Sequence, residues 1–179
     1  MATIFYTASS LDGFLAKPDD GIAWLDALPP PSEDTYTPFI ANVGAICMGS
    51  ATYRFLLGHV AKGNPWMYKQ PTWVFTTQKM EVPAGADVRF VRGDVRPVHA
   101  SMREAAQGKD IWLCGGGELV GKFLDAGLLD EVVVSVAAQT LGSGKPFLPR
   151  LAKFRLKSAR MLGEGFAELR LVPAYRVAS

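Results

Sequence analysis

Short apolar runs alternate with stretches of helical periodicity along most of this chain. The strand-like runs lie at residues 4–8, 45–49, 72–76 and 87–91. Helix-like stretches, in which apolar residues recur at helical spacing, lie at about residues 32–43, 50–57 and 98–107. An alternation of strands and helices predicts an α/β domain with a largely parallel sheet.

The last third of the chain has a different pattern. Residues 131–137 are rich in valine, and two further strand-like runs, 154–162 and 166–173, are separated only by a Gly-Glu-Gly sequence. So short a connection predicts an antiparallel hairpin. We therefore expect one mixed sheet. The sequence contains neither repeats nor a polar linker, so we expect one domain over residues 1–179.

The chemical signal is strongest where an apolar run ends at Gly115, Gly116 and Gly117. Helical periodicity follows at once, with Glu118 in the first turn and Leu119 on the apolar face. Such a corner lets backbone N–H groups approach an anion such as phosphate, although a plain tight turn has the same composition. The dinucleotide fingerprint of Rossmann domains is not met, because valine stands at its third glycine position.

Two further strand ends offer N–H and hydroxyl groups in the same way. Ser50 is predicted to cap the helix that follows the first of them. Because the carboxyl ends of parallel strands meet at one edge of a sheet, we expect the three corners to form a site for an extended phosphorylated ligand. The residues are Gly49, Ser50 and Thr52 at one end and Thr76, Thr77, Gln78 and Lys79 at the other, with the cation Arg92 after the next strand-like run.

Residues 14–31 form a long segment in which apolar and aromatic residues lie between turn residues. A segment of this kind is more typical of a binding loop or lid than of a linker. Ser32, Glu33 and Asp34 then predict the cap and the acidic first turn of the next helix.

The composition excludes two classes of function. The chain has 179 residues, 49% hydrophobic and 20% charged, with a net charge of +2 from scattered basic residues, which argues against a nucleic-acid surface. No apolar run approaches the roughly 18 residues of a membrane span, and the N-terminus does not have the pattern of a signal peptide. We expect a cytoplasmic protein with a small-molecule partner and without nucleic-acid or membrane contact.

The cysteines and histidines predict neither a disulfide nor a metal site. Cys47 and Cys114 each lie in an apolar run before a glycine, which is typical of buried, reduced thiols. The chain contains only two histidines, His59 and His99, and no C-x-x-C motif.

Four short motifs occur in a specific order along the chain. They are Ser-Leu-Asp-Gly at residues 10–13, Met-Gly-Ser-Ala-Thr-Tyr at 48–53, the glycine triplet with Glu118 and Leu119, and Leu-Gly-Ser-Gly-Lys-Pro-Phe at 141–147. In this order they resemble the reductase domain of bacterial riboflavin biosynthesis, over about residues 3–173. The resemblance implies the three-layer α/β fold of dihydrofolate reductase, with a mainly parallel eight-stranded sheet, an antiparallel last strand and a cis peptide between glycines of the triplet.

The resemblance also implies an NADPH-dependent reductase that transfers a hydride to a small heterocycle, such as 5-amino-6-(5-phosphoribosylamino)uracil. By similarity, the loop from residue 14 to residue 28 covers the nicotinamide, Trp24 lies on the substrate side, and Asp34 binds substrate and serves catalysis. Lys79 and Arg92 are the candidates for the 2′-phosphate of NADPH. The residues implied to bind the cofactor are Ala8, Leu15, Ala16, Gly49, Ser50, Thr52, Thr76, Thr77, Gln78, Lys79, Arg92, Gly115, Gly116, Gly117, Glu118 and Leu119.

Some features depart from the family pattern and leave alternatives open. The zinc signature of the deaminase to which many riboflavin reductases are fused is absent, so this chain cannot carry that reaction. Glu33 and Asp34 also serve as helix-start residues, and we interpret Asp12 as a turn former that holds Gly13 rather than as a catalytic residue. A dihydrofolate or pterin reductase and a non-catalytic NADPH-binding module therefore remain alternatives. A homodimer through residues 132–136 and the C-terminal hairpin also remains open.

Overall fold

Ten strands and four α-helices make up the computed structural model, which describes residues 1–175. The strands are β1 (Thr3–Ser9), β2 (Phe14–Ala16), β3 (Val43–Gly49), β4 (Thr72–Phe75), β5 (Val88–Val91), β6 (Asp110–Gly115), β7 (Glu131–Ala137), β8 (Lys145–Pro146), β9 (Phe154–Met161) and β10 (Phe166–Pro173). The helices are α1 (Tyr36–Ala41), α2 (Ser50–Val60), α3 (Val95–Ala106) and α4 (Gly117–Asp125), and a short 3-10 helix spans Ala23–Ala27.

Eight of these strands form one sheet in the order β5-β4-β3-β6-β1-β7-β10-β9. Every neighbouring pair from β5 to β7 is parallel, whereas β10 runs antiparallel to both β7 and β9. The prediction of a mainly parallel sheet with an antiparallel C-terminal hairpin is confirmed. Strands β2 and β8 pair with each other in a separate two-stranded sheet.

Alternation along the central strands produces two apolar layers, one on each face of the sheet. In β3, Ala45 and Cys47 belong to the cluster that packs with α3 and α4. Ile46 and Met48 belong to a second cluster, which packs with α1 and α2. Burial of each large apolar side chain stabilises the fold by about 1.5–3 kcal/mol, so strands buried on both faces hold the helices on either side. The three-layer α/β fold is confirmed.

The parallel register brings the carboxyl ends of four strands to one edge. Gly49 at the end of β3 pairs with Phe75 of β4, and Phe75 pairs with Val91 of β5. On the other side of β3, Met48 pairs with Gly115 of β6. The predicted sharing of one sheet edge by the glycine-rich and hydroxyl-rich corners is confirmed.

Three helices begin at residues other than those predicted. Helix α1 begins at Tyr36 rather than near residue 32, because the segment before it continues as bends and turns. Helix α2 has Gly49 as its N-cap, so Ser50 is the first helical residue and not the cap. Helix α3 begins at Val95 rather than residue 98, because the Asp94 side chain accepts a hydrogen bond from the first turn and caps the helix there.

The glycine-rich segment at residues 141–146 contains strand β8, which the apolar pattern does not predict. Lys145 pairs with Ala16 and Pro146 with Phe14. The N–H of Phe147 continues this attachment by donating to the carbonyl of Gly13 at 2.9 Å. These bonds tie the second half of the chain to the turn after β1.

Within residues 1–175, no helix combines the length and the apolar character that crossing a bilayer requires.

Candidate functional site

A cavity of about 1360 Å³ lies along the carboxyl edge of the sheet, between α1, α2 and α4. Pockets for small ligands are typically about 300–1,000 Å³, so this one has room for a long ligand and a second molecule beside it. Many of the residues singled out in the sequence line it. They are Ala8, Leu15, Ala16, Asp34, Gly49, Ser50, Thr52, Gly116, Gly117, Glu118 and Leu119.

Helices α2 and α4 begin side by side on the cavity wall. Neither N-cap residue, Gly49 or Gly116, has a side chain that could cap its helix. A Cβ atom built on Gly49 would lie 3.9 Å from the backbone nitrogen of Gly116, so the two helix ends are neighbours. The first N–H groups of each helix have no partner within the helix, and the helix dipole adds positive charge. Together the two ends can bind two adjacent anionic groups.

The glycine triplet has a distinct steric role at each position. The peptide between Gly115 and Gly116 is cis, as predicted. A Cβ built on Gly115 would lie 3.1 Å from Oγ1 of Thr52, so Gly115 lies behind the wall and not on it. A Cβ on Gly116 would have no neighbour within 4 Å, which means that this position opens onto the cavity. A Cβ on Gly117 would lie 2.5 Å from the carbonyl oxygen of Pro146, so glycine allows α4 to pack there.

Asp12 connects two loops beside the cavity. Its carboxylate accepts a hydrogen bond from Oγ of Ser10 at 2.6 Å and others from the N–H groups of Leu141 and Gly142. The bond from Ser10, followed by those from the backbone, lowers the pKa of Asp12. These bonds agree with the predicted turn-forming role and extend it to the loop before β8.

Aromatic side chains that the sequence analysis did not single out form the wall next to α1. Tyr6 stacks on Phe39 with 4.2 Å between ring centroids, and Tyr36 lies 6.0 Å from Trp112. Tyr6, Tyr36, Tyr68 and Trp112 all line the cavity and offer flat apolar surfaces to a planar ring. Burial raises the pKa of all three tyrosines, so their hydroxyls keep their protons at neutral pH. In the sequence these residues were indistinguishable from ordinary core aromatics.

Asp34 lines the cavity and also caps α1. Its Oδ1 accepts hydrogen bonds from the N–H groups of Tyr36 at 2.9 Å and Thr37 at 3.0 Å. A side-chain hydrogen bond from Thr37 and these backbone bonds lower the pKa of Asp34. The carboxylate is therefore ionised at neutral pH, which suits it to accept a hydrogen bond rather than to donate a proton.

Trp24 lies elsewhere than the resemblance implies. Its side chain is only 4% exposed and packs in a separate cluster with Ala137, Leu162 and Phe166. It does not line the cavity, so the expected position on the substrate side is corrected. The 3-10 helix turns Trp24 inward, while Leu25 and Leu28 from the same segment reach the cavity wall.

The residues expected to surround the adenosine end lie beyond the cavity lining. They are Thr76, Thr77, Gln78, Lys79 and Arg92. Thr77, Gln78, Lys79 and Arg92 are exposed, at the ends of β4 and β5. A cation that the sequence analysis missed, Arg54 on α2, does line the cavity and donates to Oε1 of Gln78 at 3.3 Å. The sequence did contain a signal for this position. Arg54 follows Ser50 by four residues, and residues i and i+4 share a helix face, so the two side chains could be expected on the same side of α2.

A charged network lies behind the opposite end of the cavity. Glu168 on β10 is only 1% exposed, and its Oε1 accepts from Nε of Arg160 at 2.9 Å and of Arg170 at 3.2 Å. Burial acts to raise the pKa of Glu168, but the two guanidinium groups outweigh it and lower the pKa. Arg160 also pairs with Glu33, which lines the cavity. This network fixes the wall at that end.

Both cysteines are free, as predicted, and neither is activated. Cys114 lines the cavity and belongs to the same apolar cluster as Tyr68. Burial raises the pKa of the Cys114 thiol to about 12, so the nucleophilic thiolate is not formed at neutral pH. Burial raises the pKa of Cys47 as well. In the part of the chain that the structure describes, no three metal-ligating side chains are grouped to hold an ion.

Comparison with known proteins places these features in a family. The sequence model of the family described as RibD C-terminal domain matches residues 2–167. The uncharacterized protein YwjB of Bacillus subtilis (strain 168) is 32% identical over 166 residues, which cover 90% of this chain and 92% of YwjB.

Solved structures agree with the architecture. A putative riboflavin biosynthesis protein from Shewanella sp. PV-4 superposes with a TM-score of 0.81 at 26% identity, covering 97% of this chain and 99% of the other. Dihydrofolate reductase from Enterococcus faecalis, in complex with NADP(H) and RAB-propyl, superposes with a TM-score of 0.61 at 14% identity, covering 97% and 96% of the two chains. At that identity the likeness to dihydrofolate reductase establishes the fold.

Proposed function

This chain belongs to the RibD C-terminal domain family, and from that premise we propose that it is a reductase that transfers a hydride from NADPH to a carbon of a small heterocyclic substrate. The observation that carries the proposal is the pair of uncapped helix N-termini on the wall of one cavity. NADPH is a long ligand with a pyrophosphate near its middle, and two adjacent N-termini suit two linked phosphates.

The residues present fit such a ligand. Gly116 leaves open space where any other residue would place a Cβ atom in the cavity. Gly49, Ser50 and Thr52 present the first turn of α2, and Gly117 and Glu118 present that of α4. The cavity is larger than one small ligand requires, which leaves room for a substrate. The solved dihydrofolate reductase of the same fold is a complex with NADP(H), in agreement with this fit.

NADPH supplies the hydride when it is bound, and the protein's part is to bind, align and exclude water. Ala8, Leu15 and Ala16 offer small apolar surfaces at the end of β1 and on β2, where a nicotinamide ring can pack. The segment at residues 14–28 can cover the ring from solvent, since Leu25 and Leu28 already reach the cavity wall.

The aromatic wall and Asp34 suit the substrate. Tyr6, Tyr36 and Trp112 can stack against a planar heterocycle, and the ionised Asp34 can accept a hydrogen bond from a ring N–H or an amino group. For the hydride transfer itself the protein supplies alignment. The proton that the reduced heterocycle also takes up would come from solvent, since Asp34 is ionised at neutral pH. The family resemblance favours 5-amino-6-(5-phosphoribosylamino)uracil, and the carboxylate on the cavity wall next to α1 favours a pterin as the second candidate.

The test is turnover. NADPH oxidation is followed spectrophotometrically with 5-amino-6-(5-phosphoribosylamino)uracil and with dihydrofolate as acceptors, and the reduced product is identified by mass spectrometry. We expect stoichiometric reduction of one of these two acceptors. Tight NADPH binding without turnover of either acceptor would contradict the proposed reaction and favour a nucleotide-binding module instead.

A further inference from the structure

Two cations on the cavity wall have no acidic partner in the described part of the chain, Lys122 on α4 and Arg54 on α2, and Arg54 is the one next to the end of β4. Arg54 forms no ion pair in the described part of the chain, and its guanidinium donates to the neutral amide oxygen of Gln78 at 3.3 Å. Gln78 follows β4, so this contact fixes the guanidinium beside the carboxyl end of that strand.

Two arginines on and after β5 are already engaged. Arg89 forms an ion pair with Asp87 at 2.9 Å and lies over the ring of Trp73, and Arg96 pairs with Asp94. Arg54 therefore contributes uncompensated positive charge on the cavity wall near β4. Arg92 also forms no ion pair in the described residues, but it lies outside the cavity lining.

Arg54 also stands on the helix face that meets the cofactor in the proposed function. It follows Ser50 by four residues on α2, which places both side chains on one face of the helix. Ser50 belongs to the uncapped first turn, one of the two places proposed to hold the pyrophosphate. Arg54 lies about one helical turn, about 5.4 Å, from Ser50 along this face, from where it can reach a second phosphate on the same ligand.

We propose that Arg54 binds the 2′-phosphate of NADPH and thereby makes this protein select NADPH over NADH. The inference rests on the proposed function and assigns the role to a residue that lines the cavity, in place of Lys79 and Arg92, which do not. A guanidinium can donate two parallel hydrogen bonds to a phosphate, and Gln78 already orients the Arg54 side chain for that contact.

Calorimetric titration with NADPH and with NADH tests the proposal without turnover. We expect the wild-type protein to bind NADPH about tenfold or more tightly than NADH, since hydrogen bonds to charged groups are worth that much. Arg54→Gln should lose most of this preference by weakening NADPH binding alone. Adenosine 2′,5′-bisphosphate and adenosine 5′-monophosphate, which differ by the one phosphate, should show the same pattern.

Three variants serve as comparisons. Arg103→Gln makes the same chemical change on an exposed face of α3 and should leave both affinities unchanged. Lys79→Gln and Arg92→Gln test the two cations that the sequence suggested. Equal loss of NADPH and NADH affinity in Arg54→Gln, or a selective loss in either of the other two variants instead, would overturn the proposal.

The outcomes also separate this inference from the proposed function. Wild-type protein that binds NADH as tightly as NADPH would overturn the role of Arg54 and leave the reductase standing. Wild-type protein that binds neither nucleotide would overturn both.

Discussion

At the scale of single residues, the account depends most on Gly116. A Cβ atom at this position meets no protein atom within 4 Å, so a larger residue here should weaken ligand binding in the cavity rather than destabilise the fold. We expect Gly116→Val to lower NADPH affinity by about a hundredfold or more, because branched methyl groups then occupy the space next to the two helix ends that we propose bind phosphate. Calorimetry measures the affinity, and circular dichroism measures whether the fold survives.

Gly58→Val is the matched control for this substitution. Gly58 is an exposed residue of α2 with open space around its Cβ position, away from the cavity lining. Valine is tolerated there, since glycine itself is a poor helix former. If the Gly116→Val protein is folded and binds NADPH as tightly as the Gly58→Val protein, the proposed placement of the cofactor is wrong.

Asp34 has two roles in this account, and one substitution separates them. Asparagine caps helices about as well as aspartate, so Asp34→Asn should leave the melting temperature of the protein nearly unchanged. It removes the charge that we propose accepts a substrate N–H, so KM should rise about tenfold, as expected for a lost charge-assisted hydrogen bond. Steady-state kinetics with the active acceptor gives the result.

Asp94→Asn makes the same change at the cap of α3, outside the cavity lining, and should alter neither KM nor kcat. If KM is unchanged in Asp34→Asn, Asp34 does not bind the substrate and serves only to cap α1.

At the scale of elements, the β9–β10 hairpin is held by a buried carboxylate. Glu168→Gln removes the charge that Arg160 and Arg170 share. We expect a loss of about 1–3 kcal/mol in the free energy of unfolding, less than for a fully buried pair because both arginines are partly exposed. Urea denaturation near neutral pH measures it.

The pH dependence of this effect has a definite sign. The folded-state pKa of Glu168 is lowered below its ordinary value of 4.5, so its contribution is fully present above that value and is lost as pH falls through the folded-state pKa. The stability difference between wild type and Glu168→Gln should therefore shrink as the solution is acidified below about pH 4.5. A difference that stays constant or grows on acidification would contradict the assignment.

The small β2–β8 sheet forms one wall of the cavity, and Gly144 allows it to form. A Cβ on Gly144 would overlap the carbonyl oxygen of Ala16 and approach Cβ of Phe14 at 3.3 Å. We expect Gly144→Ala to push β2 away and to weaken NADPH binding about tenfold. Gly142, two residues earlier, serves as the control, because a Cβ atom added there would meet open space. Gly142→Ala should therefore cost only the backbone strain of a positive φ, about 1–2 kcal/mol in the free energy of unfolding. Equal NADPH affinity in the two variants would argue against a role for this wall.

The sequence was informative about elements wherever the signal was local. Apolar runs ending at glycine located β3 and β6, and the Gly-Glu-Gly connection located the C-terminal hairpin. Strand β8 escaped prediction because two residues with a proline carry no periodicity, and the strand exists only through its pairing with β2.

Side-chain placement was harder to predict than the backbone. The resemblance places Trp24 on the substrate side, but its orientation depends on apolar packing with Ala137 and Phe166, which are distant in sequence. Arg54 was overlooked because its spacing from Ser50 places it on the same helix face but does not by itself distinguish it from a solvated helix residue. Only the fold brings Gln78 beside it.

At the scale of the whole molecule, ligand binding should stabilise the fold. In the proposed complex NADPH would bridge α2 and α4, which pack on opposite faces of the sheet, and so would link the two layers. At a concentration one hundred times its dissociation constant, a ligand adds about 2.7 kcal/mol to the free energy of unfolding. For a domain of this size we expect the melting temperature to rise by about 5–10 °C, measured by differential scanning calorimetry.

We propose above all that the N-termini of α2 and α4, at the carboxyl edge of the sheet, jointly bind NADPH. Isothermal titration of the wild-type protein with NADPH tests it most directly. The account predicts one molecule bound per chain with a dissociation constant on the order of micromolar or below. Absence of binding heat with both NADPH and NADH, over a range of temperatures, would contradict it.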